Sequence, residues 1–355
     1  MKSRWFILIV SIIMIVALVV PACSTSTSTA PASPETIELK LSTFVPPVVW
    51  FIKEKVNPWI EQLEERSNGK VKIKVFPSGS LGTLKDHYNM LLARQADICQ
   101  VDIGATPGVF PLSEGISLPL IFSSSEAANS AWWELSEKYL MDTEFGKVKV
   151  LWHNCIPPSQ IHTANKPVHT LDDLKGLKLA LTQAAQIATL EQLGAAPVFI
   201  PITEMYTAME RGMVDGTMLC WEAATVFKIF EVTKYRTAAK INTSLTTFMM
   251  NRDSYNSLPP DIQQFIDETT GLSMSQSFGS SFDKFDLKQL NEVMLPYDKE
   301  KGNPEIYNLP DDEIAKWSEA VEPVVEEWIT EREDKGLPAQ AFYDDMLQIA
   351  AKYNK

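Results

Sequence analysis

The sequence is poor in the residues that carry covalent chemistry. Its 355 residues hold four cysteines and four histidines. No CxxC pair occurs, so a metal or redox centre has no support. His87, His153, His162 and His169 show no ligand spacing, and GxSxG, HExxH, a Walker loop and GxGxxG are all absent. The glycines of PSGSLG (77–82) read as a turn. Cys99, Cys155 and Cys220 cannot all pair, and a chain of this length needs no disulfide staples, so each reads as a small buried residue. Positive charge is scarce too. Lys and Arg number 32 against 45 Asp and Glu, which argues against nucleic acid and against anionic lipid faces as partners. The expectation is no catalytic residue, no metal and no cofactor.

The one long apolar run, residues 5–20, follows Lys2 and Arg4 and precedes Pro21, Ala22 and Cys23. A basic start, an apolar stretch and a small residue before the cut describe a secretory signal over residues 1–22. The cut before Cys23 resembles the lipobox of bacterial lipoproteins, in which the cysteine is lipidated. STSTSTAPASPE then reads as a flexible tether, giving a lipidated cysteine and tether over 23–35. The run is short for a membrane span. These features place the domain in the periplasm or otherwise outside the cytoplasm, anchored to a membrane through Cys23. Without residues 1–22, 30 basic residues face 45 acidic ones, a net charge of −15. About 320 residues then remain, enough for two cores.

Beyond the tether the pattern alternates between periods two and 3.6. Ile37, Leu39 and Leu41 predict a strand, and Ile52, Val56, Trp59, Ile60 and Leu63 a helix ended by Asn68-Gly69. Strands follow at 71–75 and 96–104 with a helix at 84–93 between them. Strand–helix–strand–helix–strand is the grammar of a parallel sheet. It resumes as strand 177–181, helix 183–193, strand 197–200, helix 203–211, strand 214–219 and helix 221–230. A β-type run at 246–250 precedes a helix starting at Pro260, and the remainder is mostly helical. There Ile314, Trp317, Val321, Val324, Val325 and Trp328 form a stripe that reads as core packing. Two α/β units behind an anchor suggest a solute receptor whose lobes close across a hinge, with strand C-terminal ends facing the cleft.

Five segments in order carry a specific likeness. They are VKIKVFPSGSLG (71–82), PVHTLDDLKGLKLAL (167–181), LGAAPVFIPITEMYTAMERGMVDG (193–216), WEAATVFKIFEVTKY (221–235) and MMNRDSYNSLPPDIQQFID (249–267). Together they resemble the extracytoplasmic solute-binding subunits of tripartite ATP-independent periplasmic (TRAP) transporters. The resemblance implies an α/β fold of the type II periplasmic-binding-protein kind, two lobes joined by a hinge with long C-terminal bracing helices. It also implies no catalysis, and delivery of a small organic ligand to TRAP membrane subunits that use an ion gradient. The lobes would be 36–157 with 246–285, and 158–245 with 286–355.

The family's usual arginine at the end of the GLK strand, whose planar fork grips a carboxylate, falls here on Ala180. A second basic position of some relatives falls near Ser159 or Gln160, also uncharged. The position after the VDG strand is Leu219, followed by Cys220, Trp221 and Glu222.

From the residues themselves, Trp221 could wall a ligand or start the helix packed below the sheet. Glu222 could accept from ligand hydroxyls or ammonium groups, or complement a helix N-terminus. Phe44, Gln100 and Asp102 end strands of the first unit. Gln183 would offer its amide from the first turn of a helix capped by Thr182. Without an arginine fork the ligand is expected to be something other than a simple carboxylate, unless a base such as Arg94 or Lys228 swings in. Two other functions compete: a sensory receptor for the same kind of ligand, and a secreted hydrolase whose groups converge only in space.

Overall fold

A computed structural model describes residues 36–183 and 186–354. The expected signal, Cys23 and the tether lie outside the described residues. Two sheets organise the chain. The first runs β2 (Val71–Phe76), β1 (Ile37–Ser42), β3 (Ile98–Asp102), β10 (Leu245–Asn251) and β4 (Val148–Cys155). The second runs β11 (Tyr307–Asn308), β9 (Tyr235–Ala238), β5 (Gln160–Thr163), β8 (Gly216–Leu219), β6 (Lys178–Leu181) and β7 (Ala196–Phe199).

Strands with one solvated face alternate as their sequence predicts. In β1, Leu39 and Leu41 are buried while Glu38 and Lys40 are exposed. The parallel grammar holds for β2–β1–β3 and for β7–β6–β8. It breaks at β10 and β5, which pair antiparallel with both of their neighbours. Each of these strands enters its sheet from the other one, so its direction is reversed.

The chain leaves the first sheet through residues 156–159 and returns through 239–244. These two crossings bind each other. Ile156 N–H donates to Ser244 O at 3.1 Å, Ser159 N–H to Asn242 O at 2.8 Å, and Ile241 N–H to Ser159 O at 2.9 Å.

Two long helices brace both sheets. Gly271–Gln289 packs on the helix Ser125–Leu135, on β4 and on the short helix Trp221–Val226. It crosses Ser125–Leu135 so closely that a Cβ on Gly279 would lie 2.5 Å from the Glu126 Cα. Only glycine fits there. The carboxylate of Asp283 accepts from the Ser125 and Glu126 N–H groups at 2.8 and 2.9 Å, capping the helix it crosses.

The second brace is Asp311–Glu333, whose Trp317 and Val321 join the core of the second sheet and whose Val325 and Trp328 join that of the first. The expected stripe is thus core, except that Ile314 is 40% exposed. The helix expected over 84–93 shortens to His87–Leu92, because Thr83 turns back onto the Asp86 carboxylate through its N–H and hydroxyl.

Candidate functional site

Because both crossings join the sheets at the same ends, the C-terminal edges of the parallel strands face a common space. On the first sheet this edge carries Thr43 and Phe44 after β1, Gln100 and Asp102 on β3, and Thr246 at the start of β10. Gln100 is buried, accepting from the Thr43 hydroxyl at 2.5 Å and donating to the Thr246 hydroxyl at 3.4 Å. Phe44 is half-buried, 6.1 Å from the His87 ring. Asp102 accepts from Ala105 N–H at 3.0 Å, and desolvation of its carboxyl pushes the pKa up to about 6.

On the second sheet the edge is less open than its sequence predicts. Ala180 is 0% exposed and packs in a cluster with Ile200, Met205, Leu219 and Trp221. Its neighbour Thr217 donates to the Ala180 carbonyl at 2.9 Å. Trp221 is 5% exposed, edge-on to His162 at 5.3 Å, so its indole is a core side chain and not a free-standing wall. Leu219 is buried with it, its carbonyl 3.1 Å from His162 Nε2.

Gln160 is already committed. Its amide nitrogen donates to Pro158 O at 2.9 Å, and its oxygen accepts from Ala239 and Lys240 N–H at 2.8 and 3.1 Å. It ties the two crossings together, and Ser159 beside it is buried by the same joint. The Gln183 carbonyl accepts from Gln186 N–H at 3.1 Å, ahead of the α-helix Ile187–Gln192.

A cavity of about 410 Å³ lies between the two edges. Ile103, Gly104 and Leu245 line it from the first sheet, Gln183 and Thr189 from the second, and the helix Asp311–Glu333 closes one side. Of the expected site residues only Gln183 lines it. Asp102 immediately precedes its wall, while Phe44, Trp221 and Glu222 do not reach it. The contributions of Glu114, Ser117, Trp328 and Arg332 carry no local signal, since they come from a short 3-10 helix and a long helix distant from each other in sequence.

The model of the bacterial extracellular solute-binding proteins of family 7 (DctP) matches residues 49–331. The chain belongs to that family. The C4-dicarboxylate-binding periplasmic protein DctP of Rhodobacter capsulatus is 28% identical over 306 residues, 84% of this chain and 88% of that protein. Among solved structures, a TRAP periplasmic solute-binding protein from Desulfovibrio salexigens superposes with a TM-score of 0.81 at 30% identity, covering 89% of this chain and 96% of the other. A marine-metagenome TRAP protein specific for aromatic acid ligands, bound to metahydroxyphenylacetate, gives a TM-score of 0.80 at 28% identity, over 90% of this chain and all of that one.

The DctP-family chain is thus similar throughout to TRAP solute receptors, a class that binds small organic solutes and is not an enzyme class. No described helix is long and apolar enough to cross a membrane, and no described cluster of His, Cys, Asp or Glu could hold a metal.

One acidic pair joins the second edge to the first brace. Glu222 N–H donates to Asp286 Oδ1 at 2.6 Å. Burial pushes Glu222 up to about 7, and burial followed by the Glu222 and Asp283 charges pushes Asp286 up to about 7. A carboxyl raised by folding takes up a proton when the chain folds. Its stabilising contribution is therefore present below the unfolded pKa and lost as pH rises towards about 7. Asp286→Asn keeps an acceptor for the Glu222 amide and removes the charge. Its melting temperature should exceed wild type by about 2 °C or more at pH 8 and by much less at pH 4.5. An equal shift at both pH values would contradict the linkage.

Proposed function

We propose that this chain captures a small organic solute between the facing strand edges and hands it to TRAP membrane subunits for ion-gradient-driven uptake. Residues 36–157 with 246–285 would move as one lobe and 158–245 with 286–355 as the other, flexing at the crossings. The solute has an apolar or aromatic body with hydroxyl, amide or cationic groups, and is not held as a simple carboxylate.

The observation behind this is that no free cation lines the cavity among the described residues. Position 180 holds an alanine, fully buried among apolar side chains. Arg94 precedes β3 and so lies beyond its N-terminal end, while Lys228 is exposed beyond the C-terminus of the helix Trp221–Val226. Arg332, the one cation in the described cavity wall, is paired with Glu114 and Glu331. A carboxylate buried here would lack its partner, at a cost of about 3–5 kcal/mol. The aromatic acids bound by relatives support the aromatic body, and the missing clamp separates this chain from the acid.

Thermal-shift screening should show stabilisation by aromatic amines, phenols or polyol-like compounds and none by succinate, pyruvate or benzoate. Submicromolar binding of any of these three acids would sink the reading. The chain is further proposed to be held at the membrane through Cys23. Cys23→Ala should leave uncleaved precursor or release soluble protein, and unchanged size and membrane fractionation would refute the anchor.

A further inference from the structure

The helix Asp311–Glu333 walls the cavity with Val324, Glu327, Trp328, Glu331 and Arg332. Its single guanidinium is fully engaged. Arg332, 9% exposed, donates from Nη2 to Glu114 at 2.5 Å, from Nη1 to Glu331 at 2.8 Å and from Nε to Pro111 O at 3.1 Å. It also lies 5.2 Å from the Trp328 ring centroid. Its charge is cancelled inside the wall by two carboxylates. Glu327 is different: it is exposed, lines the same cavity and has no ion-pair partner among the described residues. Trp328 is 7% exposed, and its indole N–H is buried in this wall without a hydrogen-bond partner. The remaining surfaces are mostly apolar, formed by Ile103, Leu118 and Leu245.

We infer that Glu327 is the charge-selecting residue of the solute site, accepting the ammonium group of an arylalkylamine-like ligand whose ring lies on the apolar surfaces. The inference rests on the cavity being the solute site proposed above. The wall holds one engaged cation against three carboxylates, so an anionic ligand meets repulsion where a cation finds an unpaired acceptor. The cavity's volume of about 410 Å³ lies within the range of about 300–1,000 Å³ usual for small-molecule pockets.

Tyramine and 4-hydroxyphenylacetate share a ring and hydroxyl and differ in the sign of their charge, which makes them a matched pair of probes. Titration calorimetry of the mature chain should show tyramine preferred by about tenfold or more, the scale of one charge-assisted hydrogen bond. Glu327→Gln should abolish that preference, while Glu326→Gln, exposed on the same helix but outside the cavity wall, should keep it. Both positions are solvent-exposed, so circular dichroism should report an intact fold. A tyramine preference that survives Glu327→Gln overturns the role of Glu327 and leaves the receptor reading standing. A wild-type preference for the acid overturns both. No binding of tyramine also overturns the inference and leaves the receptor reading to neutral solutes.

Discussion

The fold depends on the joint where the chain crosses twice between its sheets. Three backbone hydrogen bonds link residues 156–159 to 239–244, and the Gln160 side chain adds three more polar contacts around them. A buried crossing without these partners would leave several amides and carbonyls unpaired, each costly. The joint also fixes direction. A strand that arrives from the other sheet must run against its neighbours, which reverses β5 and β10 and sets both C-terminal strand edges towards one space. Asn242 extends the joint by donating from its side chain to Ser117 O at 2.7 Å, so the short 3-10 helix Ser113–Ser117, which lines the cavity, is tied to the same crossings.

This joint explains which parts of the structure were legible in the sequence. β1 and β2 keep a solvated face and show period-two alternation. β4 and β5 are buried on both faces, so VKVLWHNC and QIHT carry no alternation to detect. Gln160 sits in the second of these, and its commitment to the crossings shows only once the fold is known. Trp221 misleads similarly: a tryptophan after a strand marks the edge of the sheet correctly, but its side chain turns into the core beneath. The family likeness, by contrast, was readable, because five segments in order carry it and the family's model matches residues 49–331. The cavity wall formed by the second brace was not readable, since its stripe obeys core periodicity and the residues flanking it look like solvated surface.

The strand edges carry an apolar position and several buried carboxyls. Ala180 closes a small apolar cluster, and three carboxyls around the two strand edges and the first brace are desolvated. Asp102, Glu222 and Asp286 are all raised, chiefly by desolvation, to about 6, 7 and 7. Carboxyls in this range are partly protonated at neutral pH, so they can act as donors or as acceptors.

The most direct test is the identity of the solute that the receptor retains when purified natively and opened by denaturation. Mass spectrometry of the released material should find a small neutral or cationic molecule with an apolar or aromatic body, at close to one per chain. Stoichiometric release of a C4-dicarboxylate, a 2-oxo acid or an aromatic monoacid would contradict the account.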